Sequence, residues 1–267
     1  MKSISLFTLS GIILGFGLFL LAIVTRTDNY LMFLNLPGFL MVIGGTFAAG
    51  MISFRGRYVT KALKDLMGIL IPQNINPDSL YHEVGLIIEW GVRNQKGGIR
   101  EMENAIEQSN FSDPFLSYGT KLLLSDYKND ELRGMLKNAL ETTFERDMVQ
   151  SYVLKTMGNY APAFGMIGTL VGMIIMLDNL GGDPGQIGQG LAIALITTLY
   201  GLLLSQLVFK PAAEKVKEKN EIMRYRNVMM MEGLILLADN QFSTAIQDKM
   251  NSFLDPSYHF EIAERNG

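Results

Sequence analysis

Residues 156–177 read TMGNYAPAFGMIGTLVGMIIML, and residues 185–209 read GQIGQGLAIALITTLYGLLLSQLVF. Neither stretch holds an Asp, Glu, Lys, Arg or His. Each exceeds the roughly 20 residues a helix needs to cross a hydrocarbon core of about 30 Å. Two further uncharged runs lie earlier, from Ser3 to Thr25 and from Asn29 to Phe54. The pattern predicts four transmembrane helices, over 3–25, 30–54, 156–177 and 185–209. Charged residues crowd between and after them, so a helical domain is expected over 55–155 and a helical C-terminal region over 210–267. No strand-like alternation stands out, and the expected fold class is all-α.

Composition agrees with this division. Of 267 residues 48% are hydrophobic and 18% charged, against about 25% charged in soluble domains. A net charge of −3 offers no basic footprint for nucleic acid. The absence of cysteine excludes disulfides, thiol catalysis and thiolate metal sites. His82 and His259 stand far apart without ligand-like companions, so no zinc or haem site is expected. No phosphate-binding loop, nucleophile–base pair or buried carboxylate pair points to an enzyme. The first run is longer than the apolar core of about 7–15 residues in a signal peptide, and no small-x-small cleavage pattern precedes Arg26. It is read as a retained helix.

Basic residues set the orientation. Arg55, Arg57, Lys61 and Lys64 follow the second span, Lys155 precedes the third, and Lys210, Lys215, Lys217 and Lys219 follow the fourth. The loop from Asp178 to Asp183 has no Lys or Arg, and the loop after the first span has only Arg26. The positive-inside rule then places both termini and segment 55–155 in the cytoplasm.

Spans three and four have a chemistry of their own. Gly165, Gly168 and Gly172 share one face of the third, and Gly190, Ala194, Thr198, Gly201 and Ser205 share one face of the fourth. Such faces let helix backbones approach closely. They fit two readings: ordinary helix packing, or the wall of a narrow passage in an oligomer, with Thr169, Thr197 or Thr198 supplying oxygens near an ion. Gly11 and Gly15 in the first span form a GxxxG that decides little. Ion-coupled transporters keep an ionisable residue inside the membrane, and these four spans have none. Either the chain moves no ions, or another protein's helix brings the carboxylate. Pro162, early in span three, and Pro211, just past span four, each remove an amide donor. They read as helix boundaries or as pliable points.

The charged segments read as helices. Pro72 and Asn76-Pro77 form a break before a helix whose stripe is Leu80, Val84, Ile87 and Ile88. Gly97-Gly98 ends it, a shorter helix covers roughly 99–108, and Ser112-Asp113-Pro114 starts another. Over 130–155, Leu132, Leu136, Leu140, Phe144, Met148 and Tyr152 at steps of four predict a long amphipathic helix running into span three. Residues 212–238 predict a charged helix leaving span four, with Met229, Met230 and Met231 as packing residues. Arg93, Lys96, Arg100, Glu101, Glu103 and Glu107 around the Gly-Gly turn read as a solvated hairpin tip.

Two motifs carry a family resemblance. Ala161-Pro162-Ala163-Phe164-Gly165-Met166-Ile167-Gly168-Thr169-Leu170-Val171-Gly172 and Ala194-Leu195-Ile196-Thr197-Thr198-Leu199-Tyr200-Gly201 resemble the third- and fourth-span motifs of flagellar motor stator A subunits of the MotA, PomA and MotP type, in the MotA/TolQ/ExbB superfamily. The four-span plan extends the resemblance over essentially the whole chain; the TolQ and ExbB relatives usually have three spans. The resemblance implies a multi-pass protein of the bacterial inner membrane that assembles as a homo-oligomeric ring, a pentamer. Its third and fourth helices would surround a stator B subunit (MotB/PomB type) that brings the ion-binding Asp. A transported cation, Na+ or H+, replaces any cofactor, and the driven partner is the rotor switch protein FliG.

Carried over by position, Pro162 and Pro211 take the torque-coupling prolines, while Thr169, Thr197 and Thr198 take the ion path. The hydroxyl pattern leans towards sodium, since hydroxyl oxygens suit a hard cation. Arg93 and Glu103 match the rotor-facing charges, with Lys96 an alternative holder of the basic role because Arg93-Asn94-Gln95 separates the arginine from Lys96-Gly97-Gly98. Two other functions remain open: a superfamily motor energising gliding or envelope transport, and a passive membrane scaffold.

Overall fold

The computed structural model describes residues 5–71, 77–109, 111, 113–125, 127, 129–181 and 184–260. Ser3, Pro72, Asn76, Ser112 and Asp183, named above, lie outside the described residues. The order is α1 (Leu6–Val24), α2 (Leu36–Ser53), α3 (Gly56–Gly68), α4 (Pro77–Gly97), α5 (Ile99–Gln108), α6 (Pro114–Leu123), α7 (Asn129–Asp178), α8 (Pro184–Leu203), α9 (Lys210–Ala238) and α10 (Ser243–Asn251). A π-helical segment, Leu204–Phe209, joins α8 to α9. There is no strand among the described residues, and four helices are long and apolar enough to cross a membrane.

The chain forms two compact units: Met1–Pro72 with Asp147–Glu218, and Gln73–Arg146 with Lys219–Gly267. This redraws the expected boundaries. Residues 55–72 and 147–155 belong with the apolar helices, and all of the C-terminal region from Lys219 onward joins the loop domain. The reason is the core of the second unit, where Met229, Met230 and Leu234 of α9 fill the space among Ile87, Trp90, Leu132 and Leu136. The methionine run is a packing run.

Local chemistry sets the ends of the helices in the first unit. Ser5 caps α1 by accepting from the Thr8 N–H, and the Thr25 hydroxyl donates back to the Leu21 carbonyl at 2.9 Å. Asn35 caps α2, its Oδ1 accepting from the Gly38 N–H at 2.8 Å. The Tyr200 hydroxyl donates to the Phe33 carbonyl and accepts the Asn35 N–H at 2.9 Å, which pins this connection to α8. No residue of α1 is buried, as a helix facing lipid on most sides requires.

In α2 the buried positions are Gly38, Val42, Thr46 and Gly50, a face of glycine and β-branched residues at steps of four. No packing face was expected in the second span; α2 has this one. A Cβ on Gly45 would lie 2.2 Å from the Phe164 ring, and one on Gly38 would lie 2.8 Å from Thr197. The aromatic and hydroxyl side chains of the motif helices therefore need glycines opposite them.

The stripe from Leu132 to Tyr152 holds for only half its length. Leu132, Leu136 and Leu140 are core residues, whereas Tyr152 is 64% exposed. A helix turns about 100° per residue, so each step of four drifts about 40° around it. The buried face passes instead to Val153, Leu154 and Met157.

The second unit also holds a buried charge that hydrophobic patterning does not reveal. Arg226 on α9 is 3% exposed. Its guanidinium pairs with both Glu83 oxygens on α4 at 2.7 Å and with Asp113 Oδ2 at 2.7 Å. Asp113 also caps α6 through the Leu116 N–H. Burial pulls the Arg226 pKa down, and hydrogen bonds to the two carboxylates outweigh it, so the pKa lies above the ordinary arginine value.

Candidate functional site

The glycines of α7 and α8 face each other within one chain. A Cβ on Gly172 would lie 2.7 Å from the Ala194 nitrogen, and one on Gly201 would lie 2.5 Å from the Ala161 carbonyl oxygen. The small-residue stripes are thus a packing seam, and the two backbones are in contact along it. Replacing Gly201 with alanine is expected to destabilise the purified protein by about 1–3 kcal/mol, since only backbone atoms could give way. Gly11, with nothing within 4 Å of its would-be Cβ, serves as the control: thermal denaturation in detergent should leave Gly11→Ala unchanged. Equal melting of both variants would contradict the seam.

The three candidate threonines have different surroundings. Thr197 is fully buried; its side chain lies against Gly168 and Gly38, and its hydroxyl donates to the Ala194 carbonyl of its own helix at 3.0 Å. It fills the contact of α8 with α2 and α7. Thr169 and Thr198 are half-buried, and their hydroxyls are hydrogen-bonded to each other across the seam. Thr169 reaches the Ala194 carbonyl at 3.0 Å, and Thr198 reaches the Gly165 carbonyl at 3.4 Å. Two hydroxyl protons cannot use up four lone pairs, so the pair keeps acceptor capacity for a cation or its hydration water.

The prolines come with specific repairs. Pro162 lies inside α7 and has no N–H for the carbonyl four residues back, that of Gly158. The Ser205 hydroxyl, fully buried, donates to that same carbonyl at 2.6 Å. The Ser205 carbonyl in turn accepts the Lys210 N–H, an i→i+5 bond that closes the π segment one residue before Pro211. Ser205 therefore takes part in both breaks, through its side chain at one and its backbone at the other. Short π segments inside helices recur at functional positions. The sequence signal that could have found it is a serine ending the small-residue face opposite a helix that contains proline.

The charged candidates lie on the second unit. Gly98 has φ +72° and makes the turn from α4 to α5, a conformation that glycine takes without strain. Arg93, Lys96 and Glu103 are exposed, and Arg93 stands 3.7 Å from Glu89 one helical turn away. This is the geometry of a solvated tip; an exposed pair of this kind contributes about 0.3–0.5 kcal/mol.

Comparison with known proteins adds the kinship. Residues 107–228 match the MotA/TolQ/ExbB proton channel family. The chain is 32% identical to the chemotaxis protein PomA of Vibrio alginolyticus over 93% of its own length and 94% of the relative's. It is 34% identical to motility protein A of Aquifex aeolicus, covering 80% and 83% of the two chains. Its fold matches a chain in the structure of C. jejuni MotAB with a TM-score of 0.84 at 20% identity, over 94% of this chain and 96% of that one. A chain in the flagellar MotAB stator complex of Bacillus subtilis gives 0.82 at 22% identity, over 93% and 96%. By sequence kinship across nearly its whole length, and by its four apolar helices, this chain belongs to the MotA/TolQ/ExbB proton channel family.

Proposed function

We propose that this chain is the channel-forming, torque-generating subunit of a flagellar stator. The observation that carries this reading is a paired, half-buried hydroxyl site, Thr169 with Thr198, in two apolar spans, 156–177 and 185–209, without an ionisable residue. Such a hydroxyl pair can offer oxygens to a cation passing beside it but supplies no charge to offset the cost of dehydration in a low-dielectric region. The missing charge comes from a B subunit with an ion-binding Asp, around which copies of this chain close as a ring, a pentamer. Both termini lie in the cytoplasm of a cell bounded by an inner membrane. Cation binding and release at that Asp moves the ring, and Pro162, Ser205 and Pro211 carry the motion out of the membrane. Arg93 or Lys96, together with Glu103, meet the rotor protein FliG. Relatives named for motility and chemotaxis, and structural neighbours that are MotAB complexes, support the reading.

Two tests address it. Membranes containing this chain and a one-span partner with a mid-helix Asp are expected to leak cations. The leak should disappear when that Asp becomes Asn. Conduction by this chain alone would contradict the division of labour. For the hydroxyl pair, we propose sodium as the cation. Thr198→Ala should raise the sodium concentration for half-maximal swimming speed about five-fold, the effect of one oxygen contact worth about 1 kcal/mol. An unchanged sodium curve would remove Thr198 from the path.

A further inference from the structure

The α9–α10 connection is built with unusual care for a surface turn. Its Gln241 N–H reaches back to the Leu236 carbonyl and its Asn240 N–H to the Leu237 carbonyl. Together they form a Schellman closure with Asn240 in the left-handed region at φ 51°. Side chains fix the turn from two other helices. Asn94 of α4 donates to Asn240 Oδ1 at 2.9 Å, Ser243 donates to Gln95 Oε1 at 2.9 Å, and Asn129 of α7 donates to Asp239. Yet the residue this scaffold presents is Phe242, 75% exposed.

The same end of the unit carries the α4–α5 turn, where Ile99 follows Gly98 and is 62% exposed. The other strongly exposed large apolar residues described in this unit are Tyr81, Tyr118, Tyr127 and Tyr225, each with a polar hydroxyl, that of Tyr225 donating to the Phe253 carbonyl. Phe242 and Ile99 have none. Burying the pair would recover hydrophobic free energy that the folded chain leaves unused. A rigid aromatic loses little entropy on docking, and such anchors dominate interface energetics.

We infer that this end is a protein-docking surface anchored by Phe242 and Ile99, and that it deepens the rotor contact by extending it from the α4–α5 tip onto the α9–α10 turn. The flanking charges decide the kind of occupant. Arg93, Lys96 and Arg100 stand beside Glu101 and Glu103, so the complement carries both signs around an apolar socket. An anionic lipid surface or a nucleic acid, each negative throughout, would meet repulsion from the glutamates. The occupant is a folded protein face of alternating charge, the rotor-side protein of the proposed function, and the assignment rests on that reading.

The test uses full-length chain with its B subunit in motile cells. An Ile99→Ser, Phe242→Ser double variant touches no core residue and should reach the membrane and leak cations as wild type does. Its docking should weaken about ten-fold, as for loss of an aromatic anchor, and swimming speed should fall to less than half. Phe242→Leu should keep most of the speed. A photoreactive phenylalanine at position 242 should crosslink to the rotor protein. Wild-type speed in the double variant, with conduction intact, would overturn the surface alone, as would crosslinks only between copies of this chain. A wild-type complex that conducts no cation would sink the stator reading and this surface together.

Discussion

Arg226→Met is expected to destabilise the second unit by about 3–5 kcal/mol, because it strands two partly buried carboxylates that now share one guanidinium. Glu83 and Asp113 are only 21% and 18% exposed in their side chains, so water cannot fully replace the lost cation. The loss also reaches α6, whose cap is Asp113, and α4, which carries Glu83. A total stability of 5–15 kcal/mol is typical of a domain, so the change removes a large share of it. Hydrogen exchange over α4, α6 and α9 is the measurement; protection equal to wild type would contradict the account. Replacing Arg226, Glu83 and Asp113 together with apolar residues should recover much of the loss, since the harm comes from unpaired charge.

The second large effect concerns the repaired proline. Ser205→Ala should cost about 1–3 kcal/mol, the penalty for leaving a buried carbonyl without a donor. In a Pro162→Ala background the cost should vanish, because residue 162 then supplies its own N–H to Gly158. Thermal denaturation of the four variants gives the coupling directly. Strict additivity would mean that Ser205 does not serve Pro162. The same cycle scored by swimming speed separates stability from torque. A stable Pro162→Ala, Ser205→Ala protein that cannot drive rotation would assign the break itself to the mechanism.

These two sites also mark where sequence reading stops. Helix type and span count were legible because charge-free runs and 3.6-residue periodicity are set by each helix's own environment. The Gly98 turn and the cap before Pro114 were legible because backbone chemistry there is local. The partners of Arg226 were not, since Glu83 and Asp113 lie over a hundred residues away in the chain and no period links them. The face of α2 was missed because Gly38, Val42, Thr46 and Gly50 mix small and branched residues. Tyr152 was misplaced because a step of four holds one face for only a few turns. Among the candidate residues, Thr169 and Thr198 come together across the seam, while their neighbour Thr197 points into the packing between helices. One position along a helix turns a side chain by about 100°, which a motif cannot express without its partner helices.

Cation flow past a hydroxyl pair in spans that lack their own charge is the central claim. The direct measurement is swimming speed against sodium concentration at a fixed proton gradient, in cells whose only stator is this chain with its B subunit. Speed that rises with sodium and saturates, and shifts to higher sodium in Thr198→Ala, is the expected result. Speed that stays constant as sodium is varied would contradict it.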